Sequence, residues 1–135
     1  MHKNHEYFEG KEYTNINYSK NKLSKGDYEN CIFKNCNFSN ADLSNISFVE
    51  CVFKNCDFSS AKILNTSFRK VEFNDCKLLG VQFQNCNKFL LSFNFKECIL
   101  NFSSFYQLNL SKTHFVNCKL HEVDFTETEL TNSLF

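Results

Sequence analysis

The sequence predicts an all-β repeat protein in which each group of five residues forms one short extended side and one corner. Three observations favour this class: a large apolar residue at every fifth position, a mostly small residue two places before it, and many Ser and Asn residues in the two places after it. Neither the helical period of 3.6 nor the strand period of 2 explains a repeat of five. The repeat therefore indicates a solenoid whose strands are broken by regular turns.

The first observation is a series of large apolar residues spaced by five. From Phe8 to Phe83 all sixteen positions of the series are Phe, Leu, Ile or Tyr, whereas the composition predicts about five by chance. The series resumes two residues out of phase at Phe95 and continues to Phe135, again without a gap. We expect these central residues to point inward, and we place a two-residue slip around residues 84–94.

The second and third observations describe the rest of each pentad. The residue two places before each centre is expected to face inward as well, because strand side chains alternate. This inner position is mostly Cys, Ala, Thr, Ser or Val from Cys31 to Val81 and again from Cys98 to Ser133. Asn in the places after the centre tolerates a left-handed backbone and can bond its own chain, which suits a corner.

Two stretches carry a resemblance to a known family. CNFSNADLSN (36–45) and CDFSSAKILN (56–65) resemble the pentapeptide-repeat motif A(D/N)LXX, in which the central residue is Leu or Phe. The match covers roughly residues 8–135 and is weakest before residue 26. The resemblance implies a right-handed quadrilateral parallel β-helix with four pentads per coil and about six to seven coils. We expect residues 1–135 to form a single solenoid, with residues 1–12 as a frayed N-terminal segment.

The cysteines test the expectation of four pentads per coil. All eight occupy the inner position, and five of them are spaced by 20, 20, 22 and 20 residues, which is one coil each time if the slip adds two. We expect these five to form a ladder along one inner wall, with Cys31 and Cys51 on a neighbouring wall. The five are Cys36, Cys56, Cys76, Cys98 and Cys118.

A ladder of thiols predicts buried small residues and no metal site. Tetrahedral zinc needs several thiolates converging on one ion, which residues stacked in a column do not provide. His114 and His121 flank Cys118, but the register places both histidines outward and Cys118 inward. We therefore expect no cofactor and no metal, and a thiol-based metal or redox function rests on the cysteine count alone.

Composition and motifs limit the function further. Lys plus Arg and Asp plus Glu each number 15, so the net charge is zero and gives no general attraction to nucleic acid or anionic lipid. The N-terminus shows no apolar signal segment, and no apolar run is long enough to span a bilayer. Only three glycines are present, and no Ser has a convincing His partner. We expect a non-enzymatic cytoplasmic protein without direct nucleic-acid or membrane binding.

The family resemblance suggests a partner. Within the family the sequence is most similar to quinolone-resistance and microcin-immunity proteins, which protect type II DNA topoisomerases as rods that imitate duplex DNA. This implies DNA gyrase or topoisomerase IV as the partner, with protection against quinolone-like inhibitors. The alternative is a structural or adaptor solenoid with an unrelated protein partner. Duplex DNA as long as the expected rod carries roughly 18 negative charges, whereas no predicted wall of this chain departs from neutrality by more than one charge.

The slip supplies the first candidate partner-binding residues. Two interpretations remain open: a bulge covered by its own apolar residues, or an exposed patch that binds a partner. The residues concerned, each outward in at least one register, are Phe89, Leu91, Phe102 and Tyr106.

The C-terminal segment supplies two further candidate sets. Asp124, Glu127 and Glu129 belong to the only local acidic excess, and neutralising them should weaken any binding that depends on DNA mimicry. Core positions continue to the last residue, and solenoid ends need covering. We therefore expect either a longer natural chain or a homodimer through the C-terminal end, with contacts from Phe125, Leu130 and Phe135.

Overall fold

The computed structural model describes residues 6–135 and shows parallel strands stacked as a β-solenoid of about six turns. The predicted fold class, a right-handed quadrilateral parallel β-helix, is confirmed. The strands are β1 Glu6–Glu9, β2 Glu12–Thr14, β3 Gly26–Glu29, β4 Ile32–Lys34, β5 Ser47–Val49, β6 Val52–Lys54, β7 Ser67–Arg69, β8 Val71–Asn74, β9 Phe93–Lys96 and β10 Phe115–Val116. A four-stranded sheet has the order β1-β3-β5-β7, and a six-stranded sheet has the order β10-β9-β8-β6-β4-β2.

The chain visits four walls in each coil. Walls 1 and 2 contain the two sheets, whereas walls 3 and 4 are joined by isolated bridges, and wall 4 includes a short 3-10 helix at Phe83–Asn85. The central residues are Phe8, Tyr28, Phe48, Phe68, Leu110 and Leu130 on wall 1; Tyr13, Phe33, Phe53, Phe73, Phe95, Phe115 and Phe135 on wall 2; Tyr18, Phe38, Phe58, Leu78, Leu100 and Leu120 on wall 3; and Leu23, Leu43, Ile63, Phe83, Phe105 and Phe125 on wall 4.

The start of the rod is more regular than the sequence predicts. Within residues 6–12, which we expected to fray, residues 6–9 form strand β1 and pair in register with residues 26–29, and residue 12 begins strand β2, which pairs with residues 32–34. Residues 1–5 of the predicted frayed segment lie outside the described residues.

Aromatic rings fill the interior in columns. On wall 2 the seven central rings from Tyr13 to Phe135 stack with centroid separations of 4.7 to 5.3 Å. Rings on adjacent walls meet edge to face, as Phe53 does with Phe58 at 4.9 Å. Both arrangements are favourable for aromatic pairs. The in-register stacking of parallel strands thus places each ring on the equivalent ring of the coil below.

Most corners have one residue in the left-handed region. This residue lies two places after the centre, and twenty non-Gly residues of the described chain have φ between 52° and 69°. Nine of the twenty are Asn, which adopts this conformation at little cost. The others include Glu50, Lys70, Leu90 and Phe102. The corner therefore constrains the backbone more strictly than it constrains the side chain.

Most of the cysteines have a polar role that the sequence analysis missed. Seven thiols lie 3.2 to 3.6 Å from the backbone carbonyl of a central residue one coil below, as Cys76 does from Phe53 at 3.3 Å. In the described chain these seven corners lack the backbone turn hydrogen bond that other corners have, such as Ala41 N–H to the Phe38 carbonyl. The thiol therefore satisfies a carbonyl that the backbone leaves available.

The slip lies on wall 1, where the regular ladder stops and restarts. Asn87 N–H still bonds the Thr66 carbonyl at 2.8 Å, and Ser92 N–H bonds the Phe68 carbonyl at 3.0 Å. Four residues, 88–91, connect these two anchors. Lys88, which has the position of a central residue, is exposed. The irregular stretch also includes wall 4, where Lys62 and Gln82 form no bridge and the 3-10 helix at Phe83–Asn85 precedes the slip.

A side chain from the neighbouring wall fills the resulting space. Phe93 occupies an inner position, where most other coils have a small residue, and it is almost fully buried. Its ring lies 5.9 Å from that of Phe68, 5.6 Å from that of Phe83 and 4.9 Å from that of Phe95. Phe93 therefore replaces the central ring that wall 1 lacks at this level.

Candidate functional site

The most exposed apolar residues near the slip lie at the tip of one tight turn. Leu91 N–H points to the Lys88 carbonyl at 3.4 Å, so Phe89 and Leu90 are the two central residues of the turn. Their exposed fractions are 64% and 61%. The Asn87 side chain accepts a hydrogen bond from Phe89 N–H at 2.9 Å, which fixes the entry into the turn. We call this segment, residues 88–91, the slip turn.

The four residues predicted as a patch do not lie together. Phe89 lies at the corner between walls 1 and 2, Phe102 between walls 3 and 4, and Tyr106 between walls 4 and 1. Phe102 is 55% exposed and packs edge to face on the ring of His121, and Tyr106 is 37% exposed. Leu91 is half-buried and packs against the core. Only Phe89 of the predicted set is exposed at the slip turn.

Leu90 is the residue that the sequence analysis missed there. It has a φ of 55°, an unfavourable value for a branched apolar residue in an exposed turn. A signal was available: Leu90 lies two places after Lys88, at the corner position that is polar in most other pentads. The patch that the structure presents at the slip is therefore Phe89 with Leu90, and Leu91 lies beneath it.

The three C-terminal acids are exposed and have local hydrogen-bond partners. The Asp124 carboxylate accepts a bond from Thr126 N–H at 2.8 Å, and the Glu129 carboxylate accepts bonds from the N–H and hydroxyl of Thr131. These bonds lower the pKa of both carboxyl groups. Glu127 accepts a bond from the Gln107 side chain at 2.8 Å. Two of the acids thus stabilise turns in addition to carrying charge.

The C-terminal coil leaves apolar side chains partly open. Phe135 stacks on Phe115 with a centroid separation of 5.0 Å and is 60% exposed. Phe125 stacks on Phe105 at 5.5 Å and is half-buried, as is Leu130. The three residues predicted for an oligomer contact therefore share one end of the rod.

The ladder cysteines lie where the sequence predicts, with one difference. Cys36, Cys56, Cys76 and Cys98 are buried, whereas Cys118 is only half-buried because it belongs to the last full coil. All eight cysteines of the chain are free thiols. Burial raises the pKa of Cys51 to about 12, which keeps that thiol protonated at neutral pH.

Residues 6–135 show neither a cluster of metal ligands nor a membrane-spanning helix. The described chain contains no group of three or more His, Cys, Asp or Glu side chains placed to hold a metal ion. Among the same residues, no helix has the length and apolar character needed to cross a membrane. His114 and His121 are both exposed, and the His121 ring lies 3.2 Å from the Glu122 carboxylate.

The four-walled coil with a repeat of five defines this chain as a β-solenoid repeat protein. Family models bear out the narrower assignment: residues 26–94 match the pentapeptide repeat region model, and residues 94–135 match the model of pentapeptide repeats in eight copies. The chain belongs to the pentapeptide-repeat family. A search of curated proteins finds no match.

Solved structures of pentapeptide repeat proteins match this chain at low identity and with TM-scores below 0.5. Full-length QnrB1, a plasmid-mediated fluoroquinolone resistance protein, is 20% identical with a TM-score of 0.46, over 95% of this chain and 76% of that one. HetL from the cyanobacterium Nostoc, a pentapeptide repeat protein involved in heterocyst differentiation regulation, is 13% identical with a TM-score of 0.30, over 96% and 86% of the two chains.

Proposed function

We propose that this protein is a non-enzymatic solenoid that binds another protein through its outer surface. The observation that carries the proposal is the arrangement of the apolar residues. Stacked rings fill the interior between Tyr28 and Phe115, so the core leaves no room for a substrate. At the slip turn, by contrast, Phe89 and Leu90 face solvent. Exposed apolar groups of this kind mark protein-binding surfaces.

For the partner we propose a type II DNA topoisomerase, either gyrase or topoisomerase IV, in the cytoplasm. Membership of the pentapeptide-repeat family supports this choice, because the sequence resembles the quinolone-resistance members of the family. The net charge of zero argues that the contact does not depend on imitation of the DNA charge. In this proposal, protection against quinolone-like inhibitors arises from specific contacts with the enzyme.

A supercoiling assay tests the choice of partner. Gyrase is inhibited with a quinolone, and the purified protein is titrated in at up to tenfold excess over the enzyme. We expect supercoiling to recover with increasing protein, because a bound rod displaces the inhibited DNA complex. The matched control is the same titration without the quinolone, which should leave supercoiling unchanged. Absence of recovery in this assay, and in a parallel decatenation assay with topoisomerase IV, would favour the alternative, an adaptor solenoid with an unrelated protein partner.

The acidic residues separate two modes of topoisomerase binding. The triple variant Asp124→Asn, Glu127→Gln and Glu129→Gln removes three charges but keeps hydrogen-bond acceptors for Thr126 and Thr131. Because the rod as a whole is neutral, we expect protection and its salt dependence to change by less than about twofold. Weaker binding with a flatter salt dependence would instead show that this segment acts as a charge mimic.

We further propose that two copies associate through the C-terminal end. Phe125, Leu130 and Phe135 present partly open apolar surface there, next to strand edges that can pair with another chain. Analytical ultracentrifugation of residues 1–135 should show a dimer that Phe135→Asp converts to a monomer. The control is Phe102→Asp, an equally exposed ring on the side of the rod. A wild-type monomer at high concentration would contradict the dimer.

A further inference from the structure

The corner that carries the slip turn also concentrates positive charge. Corner residues of the neighbouring coils and the first residue of the turn itself bring four cationic side chains around Phe89 and Leu90. The four are Arg69, Lys70, Lys88 and Lys112. Over residues 6–135, wall 1 and this corner carry six acidic and four basic side chains, so only the order of the charges along the axis reveals the cluster.

The corner column shows how the charges are ordered. Glu50, Lys70, Leu90 and Lys112 hold the same left-handed corner position in four consecutive coils. Coils are stacked at the strand spacing of about 4.8 Å. Leu90 therefore lies between two lysines along the axis, and Glu50 follows one coil below Lys70. We call the surface formed by Arg69, Lys70, the slip turn and Lys112 the basic corner.

Most of this charge is not neutralised within the protein. Lys70 lies 3.8 Å from the Glu50 carboxylate, in an exposed and therefore weak ion pair. Across residues 6–135, no ion pair is formed by Arg69, Lys88 or Lys112. The Arg69 guanidinium lies 5.3 Å from the centroid of the Phe89 ring, and its buried Nε has no hydrogen-bond partner. The basic corner thus offers cations and apolar surface together.

Shallow grooves flank the exposed leucine on both sides. One is lined by Leu90 and Leu91 with Lys88, Gln107 and Asn109. The other is lined by Leu90 and Leu91 with Arg69, Lys70 and, at its lower end, Glu50. Each groove therefore combines an apolar floor with groups that can donate hydrogen bonds. A chain lying along either groove can place an apolar side chain on Leu90 and carboxylates on the neighbouring cations.

We propose that the basic corner binds a short acidic segment of a partner protein, one in which carboxylates flank an apolar or aromatic side chain. The inference rests on the proposed function as a protein-binding solenoid and specifies the chemistry of the partner. Carboxylates pair with Lys88, Lys112 and the Arg69 guanidinium, and the apolar side chain packs on Phe89 and Leu90. Binding removes exposed apolar surface from water and neutralises the local positive charge.

The size of the cluster favours a protein segment over a membrane or duplex DNA. The cations occupy three coils, or about 10 Å along the axis. Below them Glu29 and Glu50 lie at the same corner, and above them Glu129 lies on wall 1. A flat anionic bilayer or a phosphate backbone running along the rod meets these acids as well as the cations. A short segment contacts the cations alone.

A peptide-binding measurement tests the proposal on the 135-residue protein. The probe is a fluorescein-labelled twelve-residue peptide with a central Phe-Leu pair between aspartates and glutamates, measured by anisotropy. We expect saturable binding that Lys88→Gln with Lys112→Gln weakens by about tenfold and makes less sensitive to salt. Leu90→Asn should weaken it by about fivefold, because Asn keeps the left-handed backbone and removes the apolar surface.

Matched controls locate the effect. Leu64 is 62% exposed at another corner, so Leu64→Asn should leave peptide binding unchanged, as should Lys54→Gln on wall 2. Circular dichroism confirms that each variant is folded. The proposal is overturned if no binding is detected up to a peptide concentration of ~1 mM, which corresponds to a very weak complex. It is also overturned if a peptide with Asn and Gln in place of the aspartates and glutamates binds equally well. Binding of phosphatidylserine vesicles or duplex DNA in place of the peptide also overturns it.

The two proposals can fail separately. If the protein gives no protection against the quinolone in the supercoiling assay but still binds the peptide, the topoisomerase is excluded as the partner and the basic-corner proposal stands. Protection that persists in the Leu90→Asn and Lys88→Gln/Lys112→Gln variants, together with no peptide binding, removes the basic corner and leaves the topoisomerase.

Discussion

Replacing Phe93 by alanine is expected to lower the free energy of unfolding by roughly 3–5 kcal/mol, the range measured for fully buried aromatic residues. The ring is almost fully buried, and its centroid lies 5.9, 5.6 and 6.2 Å from those of Phe68, Phe83 and Phe105. Wall 1 supplies no central side chain there, so nothing can move in to fill the cavity. Chemical denaturation followed by circular dichroism measures the loss.

The matched control for this variant is Phe89→Ala, four residues earlier. Phe89 contributes only an exposed contact with Arg69, so its loss should cost less than about 1 kcal/mol. Similar losses for the two variants would show that Phe93 does not carry the packing of the slip. A lower slope of unfolding against denaturant in Phe93→Ala would further indicate that the rod then unfolds in two parts.

The second large effect concerns Cys76, in the middle of the thiol ladder. Cys76→Phe should destabilise the protein by roughly 3 kcal/mol or more, because Cys56 and Cys98 lie directly below and above it and leave no space for a ring. Cys76→Ala removes the thiol bond to the Phe53 carbonyl and should cost only about 1 kcal/mol. Unfolding curves of the two variants measure both values.

Thiol labelling checks the same register without mutation. Burial raises the pKa of the Cys86 thiol to about 11 and also raises that of Cys76, which lowers the fraction of reactive thiolate at pH 8. We expect iodoacetamide to modify half-buried Cys118 first and the buried thiols only after denaturation. Mass spectrometry after a short native pulse identifies the modified residues. Rapid modification of Cys36, Cys56 and Cys76 would contradict the assigned register.

The sequence predicts the core of this protein well because every pentad buries equivalent side chains and turns an equivalent corner. Every central residue from Tyr18 to Phe83 is buried, as the period of five requires. The cysteine spacing of 20 residues correctly predicts which thiols share a column. In-register stacking makes each coil a copy of the one below, so a local pattern determines long-range contacts.

Where the repeat breaks, the sequence no longer decides between alternatives. Two extra residues can be placed in several ways between Phe83 and Phe95, and the choice depends on the anchoring bonds of Asn87 and Ser92 to the coil below. Those bonds place Phe93 in the core and Leu90 on the surface. The residue types do not predict this difference, because both side chains are large and apolar. The sequence does not predict the thiol–carbonyl hydrogen bonds for a similar reason, because they depend on which corners lack a backbone turn bond.

The two anchors of the slip turn have a consequence for how such a rod can change. Asn87 ends the regular ladder of wall 1 and Ser92 restarts it, while walls 2 and 3 continue from coil to coil and wall 4 resumes its bridges at Gln82 and Ser104. The number of residues in the slip turn can therefore change without altering how the coils above it stack. Phe93 supplies the packing that the displaced pentad gives up. A lineage of such proteins can lengthen, shorten or replace this connection, and so acquire new specificity, while it inherits the scaffold unchanged.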